Sequence, residues 1–98
     1  MASGSKKAFR GSFNGTGAQL DIKIVGFKPT KVTLWLANGN EGTWNEEMAD
    51  ASAFKRVAAG TGSFVSVAGI TPLAAGFRLG TDASLNVNGV KTYYECVD

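Results

Sequence analysis

Glycine returns at short intervals along this chain, thirteen times in 98 residues, and between the glycines apolar residues recur at every second position. That combination favours strands over helices, because alternate side chains of a strand point to opposite faces while glycine supplies the turns. Phe9, Gly11 and Phe13 alternate with Arg10 and Ser12 as a first strand, and Asn14-Gly15-Thr16-Gly17 follows as a tight turn. Leu20, Ile22 and Ile24 alternate with Asp21, Lys23 and Val25 as a second strand, which Gly26-Phe27-Lys28-Pro29 breaks. Lys31 to Ala37 is the clearest strand: Val32, Leu34 and Leu36 face one way, Thr33 and Trp35 the other. Asn38-Gly39-Asn40 turns the chain and Gly42 to Glu46 pairs back on it.

Residues 46–59 admit two readings. Asn45 fits a helix cap before Glu46 and Glu47, with Gly60 as terminator. Alternation of Phe54, Arg56 and Ala58 with Lys55 and Val57 instead favours a strand from about Phe54, after a helical turn or loop. Ser63 to Ala68 reads as a strand and Ile70 to Ala75 as a loop through Pro72. Gly76 to Gly80 begins the closing unit, and Asn88-Gly89 is a type I′ turn signal joining Ser84–Val87 to a last strand, Val90–Val97. About eight short strands predict an all-β chain, a single antiparallel β-sandwich or jelly-roll-like domain over residues 7–98, preceded by a flexible basic arm over residues 1–6.

Composition limits what such a domain does. A chain this short buries roughly 60–65% of its unfolded surface, so partner subunits have room to add burial. The hydrophobic fraction of 44% argues against disorder. Net charge is only +2, but it is unevenly spread. Lys6, Lys7, Arg10, Lys23, Lys28 and Lys31 oppose one acid, Asp21, in residues 1–31, whereas residues 32–54 hold Glu41, Glu46, Glu47 and Asp50 and no base. Such polarity suits steering onto an oppositely charged partner, or head-to-tail packing of copies. No apolar run approaches a membrane span, and Met1 to Lys7 lacks the apolar core of a signal peptide.

Catalytic chemistry finds little to work with. The chain has no histidine and one cysteine, Cys96, which sits in a strand pattern without a base beside it. Gly15-Thr16-Gly17 and Gly60-Thr61-Gly62 lack the lysine and following helix of a phosphate loop. Glu46, Glu47 and Asp50 cluster, but adjacent residues of a strand face opposite ways, so no acid pair for glycoside hydrolysis is predicted. Ser84, Asn86, Asn88 and Glu95 only loosely echo a calcium loop. No catalytic residue, metal or cofactor is expected. Trp35, Trp44, Tyr93 and Tyr94 either fill the core or form a stacking platform, and one of the two adjacent tyrosines is expected in the core.

Several stretches, in order, resemble small virion structural proteins of tailed bacteriophages. They are Gly26-Phe27-Lys28-Pro29 running to Val32, Trp44-Asn45-Glu46-Glu47-Met48-Ala49, Lys55 with Ala58-Ala59-Gly60-Thr61, Gly69-Ile70-Thr71, Gly76 to Asp82, and Asn86 with the strand through Tyr94. The resemblance implies a non-enzymatic β-sandwich on the head exterior or the tail. The first expectation is a capsid decoration (cement) protein that binds the major capsid protein and sister copies as a homo-oligomer, a trimer being the attractive case. It would reside in the virion after assembly in the host cytoplasm. Lys6, Lys7 and Arg10 would reach acidic shell surface, while Glu46, Glu47, Asp50 and Trp44 would meet basic loops or sister copies. Deleting residues 1–10 is expected to leave the domain folded. The alternatives are a tail or fibre module that binds host glycan through Trp35 or Trp44, and a small basic nucleic-acid-binding barrel. Membranes and small molecules are not expected partners.

Overall fold

The computed structural model describes residues 7–58 and 60–98; the arm expected over residues 1–6, with Lys6, lies outside them. Every regular element is a strand: β1 (Ala8–Asn14), β2 (Leu20–Ile22), β3 (Lys31–Leu36), β4 (Glu41–Asn45), β5 (Ser52–Arg56), β6 (Gly62–Leu73), β7 (Gly76–Leu79) and β8 (Lys91–Val97). They form one antiparallel sheet in the order β1-β8-β3-β4-β5-β6-β7-β2. The all-β fold and the strand count are as the sequence predicts. The two layers of a sandwich are replaced by a single sheet that curls on itself.

Connectivity forces the curl. β1 and β2 occupy opposite edges of the sheet, yet only residues 15–19 join them. At roughly 3.5 Å per residue that link spans about 20 Å, whereas eight flat strands about 4.8 Å apart cover about 34 Å. The sheet therefore bends into a half-barrel, and its ends meet over one core. Phe13 of β1 lies 6.4 Å, ring to ring, from Phe77 of β7, and Phe77 packs edge-on against Tyr94 of β8 at 5.3 Å.

Strand register decides which residues enter that core. Phe9, Cys96, Val32 and Trp44 form one inward row; Gly11, Tyr94, Leu34 and Gly42 form the next. Tyr94 lies over Gly11, where a Cβ would sit 2.6 Å from its hydroxyl oxygen. Leu85 covers Gly42 in the same manner. Large side chains from β8 and the closing segment thus fill the room that the glycines leave.

Three local expectations are corrected and one ambiguity is resolved. β2 stops at Ile22, so Ile24 is exposed and Val25 takes the buried position, ahead of Gly26 at φ 88°. Of the 46–59 segment, the described residues 46–58 hold turns followed by strand β5, in line with the extended reading. The loop expected over Ile70 to Ala75 is instead strand, with Pro72 paired to Phe77. Pro72 lies past the end of β5, where one side of β6 needs no donor, the position at which a strand tolerates proline. Finally, Ser84–Val87 is not a strand. Asp82 bends that stretch by accepting the Ser84 and Leu85 amides at its Oδ1 and the Asn86 amide at its carbonyl. This Asx-type cap overrides the alternation.

Candidate interaction surface

The expected contact residues do not gather on one face. Trp44 is 3% exposed, and its indole Nε1 donates to the Ala49 carbonyl at 3.1 Å, so it is a core residue out of a partner's reach. Arg10 belongs to β1, not to an arm, and pairs with Glu95 at 2.8 Å. Because Phe9 stacks on Tyr94, removing residues 1–10 cuts into the sheet and its core; the expectation of a folded remainder is corrected. Glu46, Glu47 and Asp50 stand exposed in the turns after β4, and Lys7 is exposed ahead of β1.

The charge polarity of the sequence is also folded away. Register aligns Ala8, Val97, Lys31 and Asn45 across four strands, which brings Lys7, Lys31, Glu46, Glu47 and Asp98 to one end of the half-barrel. Basic and acidic stretches that are separate in sequence therefore interleave in space. At the other edge Asp21 of β2 takes a bidentate bond from Arg78 of β7, at 2.8 and 3.3 Å. The hydrogen bond from Arg78 holds the Asp21 carboxyl below its usual range, with attraction to Arg78 and Lys23 adding to it.

The inner side holds the densest polar cluster. Lys55 Nζ donates to both carboxylate oxygens of Asp82, at 3.1 and 3.0 Å, and to Ser84 Oγ at 3.2 Å. With its protons committed as a donor to three oxygens, this lysine offers no lone pair to deprotonate the serine. The cluster anchors the 81–90 segment. Asn86 completes that anchor: its Oδ1 accepts the Thr16 and Gly17 amides, and its Nδ2 donates to the Ala18 and Gly80 carbonyls. Cys96 points into the core, where burial and the Glu95 charge push its thiol up to about 12. A thiol so protonated is a poor nucleophile at neutral pH. Among the described residues no group of three or more His, Cys, Asp or Glu is placed to hold a metal ion.

The outer face is where large apolar groups remain uncovered. Register places Ser12, Tyr93, Trp35, Glu41 and Arg56 in one row across β1, β8, β3, β4 and β5. Trp35 is 44% and Tyr93 49% exposed. The next row runs Arg10, Glu95, Thr33, Thr43, Phe54 and Phe64. Phe64 meets Phe54 edge-on at 5.1 Å and is 72% exposed. A shallow groove of about 340 Å³ beside Phe64 is lined by Met48, Ala49, Ser52, Val65 and Ser66. Next along β6 the pairing with β5 jumps from Ala53–Val65 to Ser52–Ile70, so residues 66–69 loop out and leave Val67 exposed, with Ala68 at φ 61°.

The four aromatic residues singled out by sequence are thus split evenly: Trp44 and Tyr94 inside, Trp35 and Tyr93 outside. The expectation that one of the adjacent tyrosines is core is met by Tyr94. Phe64 and Val67 were not foreseen as surface groups, since their alternation with Ser63 and Ser66 reads as an ordinary half-buried strand. Comparison with protein-family models, curated proteins and solved structures finds no match to the chain.

Proposed function

We propose that this protein is a non-enzymatic virion structural protein of a tailed bacteriophage, a capsid decoration (cement) protein that docks on the outside of the head. The observation that carries this reading is the exposure of Phe64 and Val67 on β6, each 72% exposed, with Phe64 lining the groove beside Met48 and Val65; in this reading the two residues form one contact ridge. Two large apolar groups standing out on a 98-residue domain cost solubility and give nothing to its core. Covering one such side chain stabilises a contact by about 1.5–3 kcal/mol. Repetition over many copies on a shell turns modest contacts into stable occupancy. The order of motifs from Gly26 to Tyr94 supports the same reading.

In this reading the ridge meets the major capsid protein, and the mixed charges of Lys7, Lys31, Glu46, Glu47 and Asp50 set orientation between neighbouring copies. A nucleic-acid barrel is less well supported, because Arg10, Lys55 and Arg78 are each engaged by a carboxylate and so form no free basic track. The test is reconstitution of shells that lack this protein with the purified chain. Wild-type protein is expected to co-sediment with shells, and Phe64→Ser with Val67→Ser to lower occupancy at least tenfold while the thermal midpoint stays put. Equal occupancy of the double variant removes the ridge as the contact. Binding to isolated tails but not to heads moves the protein to the tail.

A further inference from the structure

We infer that the Trp35–Tyr93 platform on the outer face is a binding site for neutral, hexose-containing saccharide, separate from the Phe64–Val67 ridge. Trp35 and Tyr93 are direct partners on β3 and β8. Side chains so paired leave the sheet on the same face with Cβ atoms about 5 Å apart, so two half-exposed rings lie next to each other. The negative π-face of each ring suits the slightly positive axial C–H groups of a pyranose.

What surrounds the rings selects the ligand. On the same face of the sheet, a hollow of about 210 Å³ is lined by Thr33, Glu41, Gly42, Thr43, Phe54 and Arg56. Glu41 is the β4 partner of Trp35, and Arg56 is the β5 partner of Glu41. A carboxylate, a guanidinium and two threonine hydroxyls therefore lie on the same sheet face as the rings, the Thr43 hydroxyl also donating to the Val32 carbonyl at 3.3 Å. Vicinal hydroxyls of a sugar, each both donor and acceptor, match that set. A bare apolar partner would strip water from the Glu41 carboxylate and the Arg56 guanidinium at a cost.

Charge decides against phosphate-rich ligands. Close to the platform, Glu41 and Glu95 offset Arg56 and Arg10, and Arg10 is held by Glu95 at 2.8 Å. Lys91 is the remaining cation, 5.7 Å from the centroid of the Tyr93 ring, which it partly covers. These groups leave one net positive charge, a single site that gives a polyanion little to track and does not repel an uncharged polysaccharide. Exposed rings set beside polar side chains on the same sheet face are the composition of a site that orients a small polar ligand.

The test uses the full chain in solution, without particles, so its failure leaves the docking proposal untouched and the reverse also holds. Affinity electrophoresis through dextran, laminarin, galactomannan and starch is expected to retard the wild-type protein in at least one gel. Trp35→Ala should weaken that binding at least tenfold. Trp35→Phe should keep most of it while abolishing the ligand-induced change in tryptophan fluorescence, because Trp44 is buried. An unchanged thermal midpoint for Trp35→Ala separates loss of site from loss of fold. Retardation by none of the four polymers overturns the inference. Retention by oligo-dT at low salt, without polysaccharide binding, does so too and favours a nucleic-acid platform.

Discussion

The two faces of the curled sheet obey opposite rules. Inside, every polar group is answered: Asp82 receives Lys55 and two backbone amides, and Asn86 uses all of its amide's donor and acceptor atoms. No buried side-chain nitrogen or oxygen lacks a partner among the described residues. Outside, Trp35, Tyr93, Phe64 and Val67 stand with much of their surface in water. A small sheet that satisfies its interior so fully has no thermodynamic reason of its own to leave those groups uncovered. The inner face sets stability and the outer face sets binding, so mutations on the two faces should have separable effects.

The inner rule is broken most severely at Asp82. Asp82→Ala leaves the Lys55 ammonium at a site where its side chain is only 18% exposed, without its carboxylate, and frees the Ser84 amide, while the Leu85 amide keeps its bond to the backbone carbonyl of residue 82. Loss of one partner of a buried pair costs about 3–5 kcal/mol. For a domain whose total stability is about 5–15 kcal/mol, this should unfold a large share of the protein on warming. Denaturant unfolding checks it, and a cost below about 1 kcal/mol would mean that the 81–90 segment is not anchored there. Replacing Lys55 and Asp82 together by Met and Leu should cost much less than Asp82→Ala alone.

Asn86→Ala comes next, at about 2–3 kcal/mol. It strips partners from two amides and two carbonyls, some of which recover water at the partly exposed 16–18 loop. Because that loop joins the two edges of the sheet, hydrogen exchange should rise first at Thr16 and Gly17 and then in the edge strands β1 and β2. Uniform acceleration across all strands would instead mark Asn86 as a general packing residue.

These two anchors were the least legible part of the sequence. Strand existence could be read from alternation in Val32-Thr33-Leu34-Trp35-Leu36, because a half-buried strand imposes period two on its own residues. Partners cannot be read that way. Lys55 and Asp82 are 27 residues apart, and Asn86 holds residues 68 to 70 positions away; no local pattern marks such pairs. Ser84–Val87 misled for a related reason: Asp82 folds that stretch into turns that period-two reading does not weigh. The same limit applies to Trp44, whose inward direction followed from its even spacing from Gly42 only once β4 was registered against Val32 and Leu34.

On the outer face the expected cost to stability is smaller. The cross-strand Trp35–Tyr93 contact is worth roughly 0.2–1 kcal/mol, so Trp35→Ala should lower stability by less than about 1 kcal/mol. A loss of 3 kcal/mol would show that the ring supports the fold, and the separation of faces would fail at this point.

The smallest effect belongs to the outer edge, and pH exposes it. Asp21 ties the three-residue strand β2 to β7 through Arg78. Because Arg78 lowers the carboxyl's pKa in the folded protein, the pair stabilises the fold above the ordinary aspartate range. That contribution disappears as pH falls through the lowered value. Asp21→Asn should therefore melt slightly below wild type at pH 7, and the gap should close as pH falls through the lowered value of the Asp21 carboxyl. The difference between the two melting curves isolates Asp21, because the two proteins differ nowhere else. A gap that stays constant with pH would assign the tie to shape and not to charge. It would then extend to β2 the rule of the inner face, where geometry and satisfied bonds hold the chain.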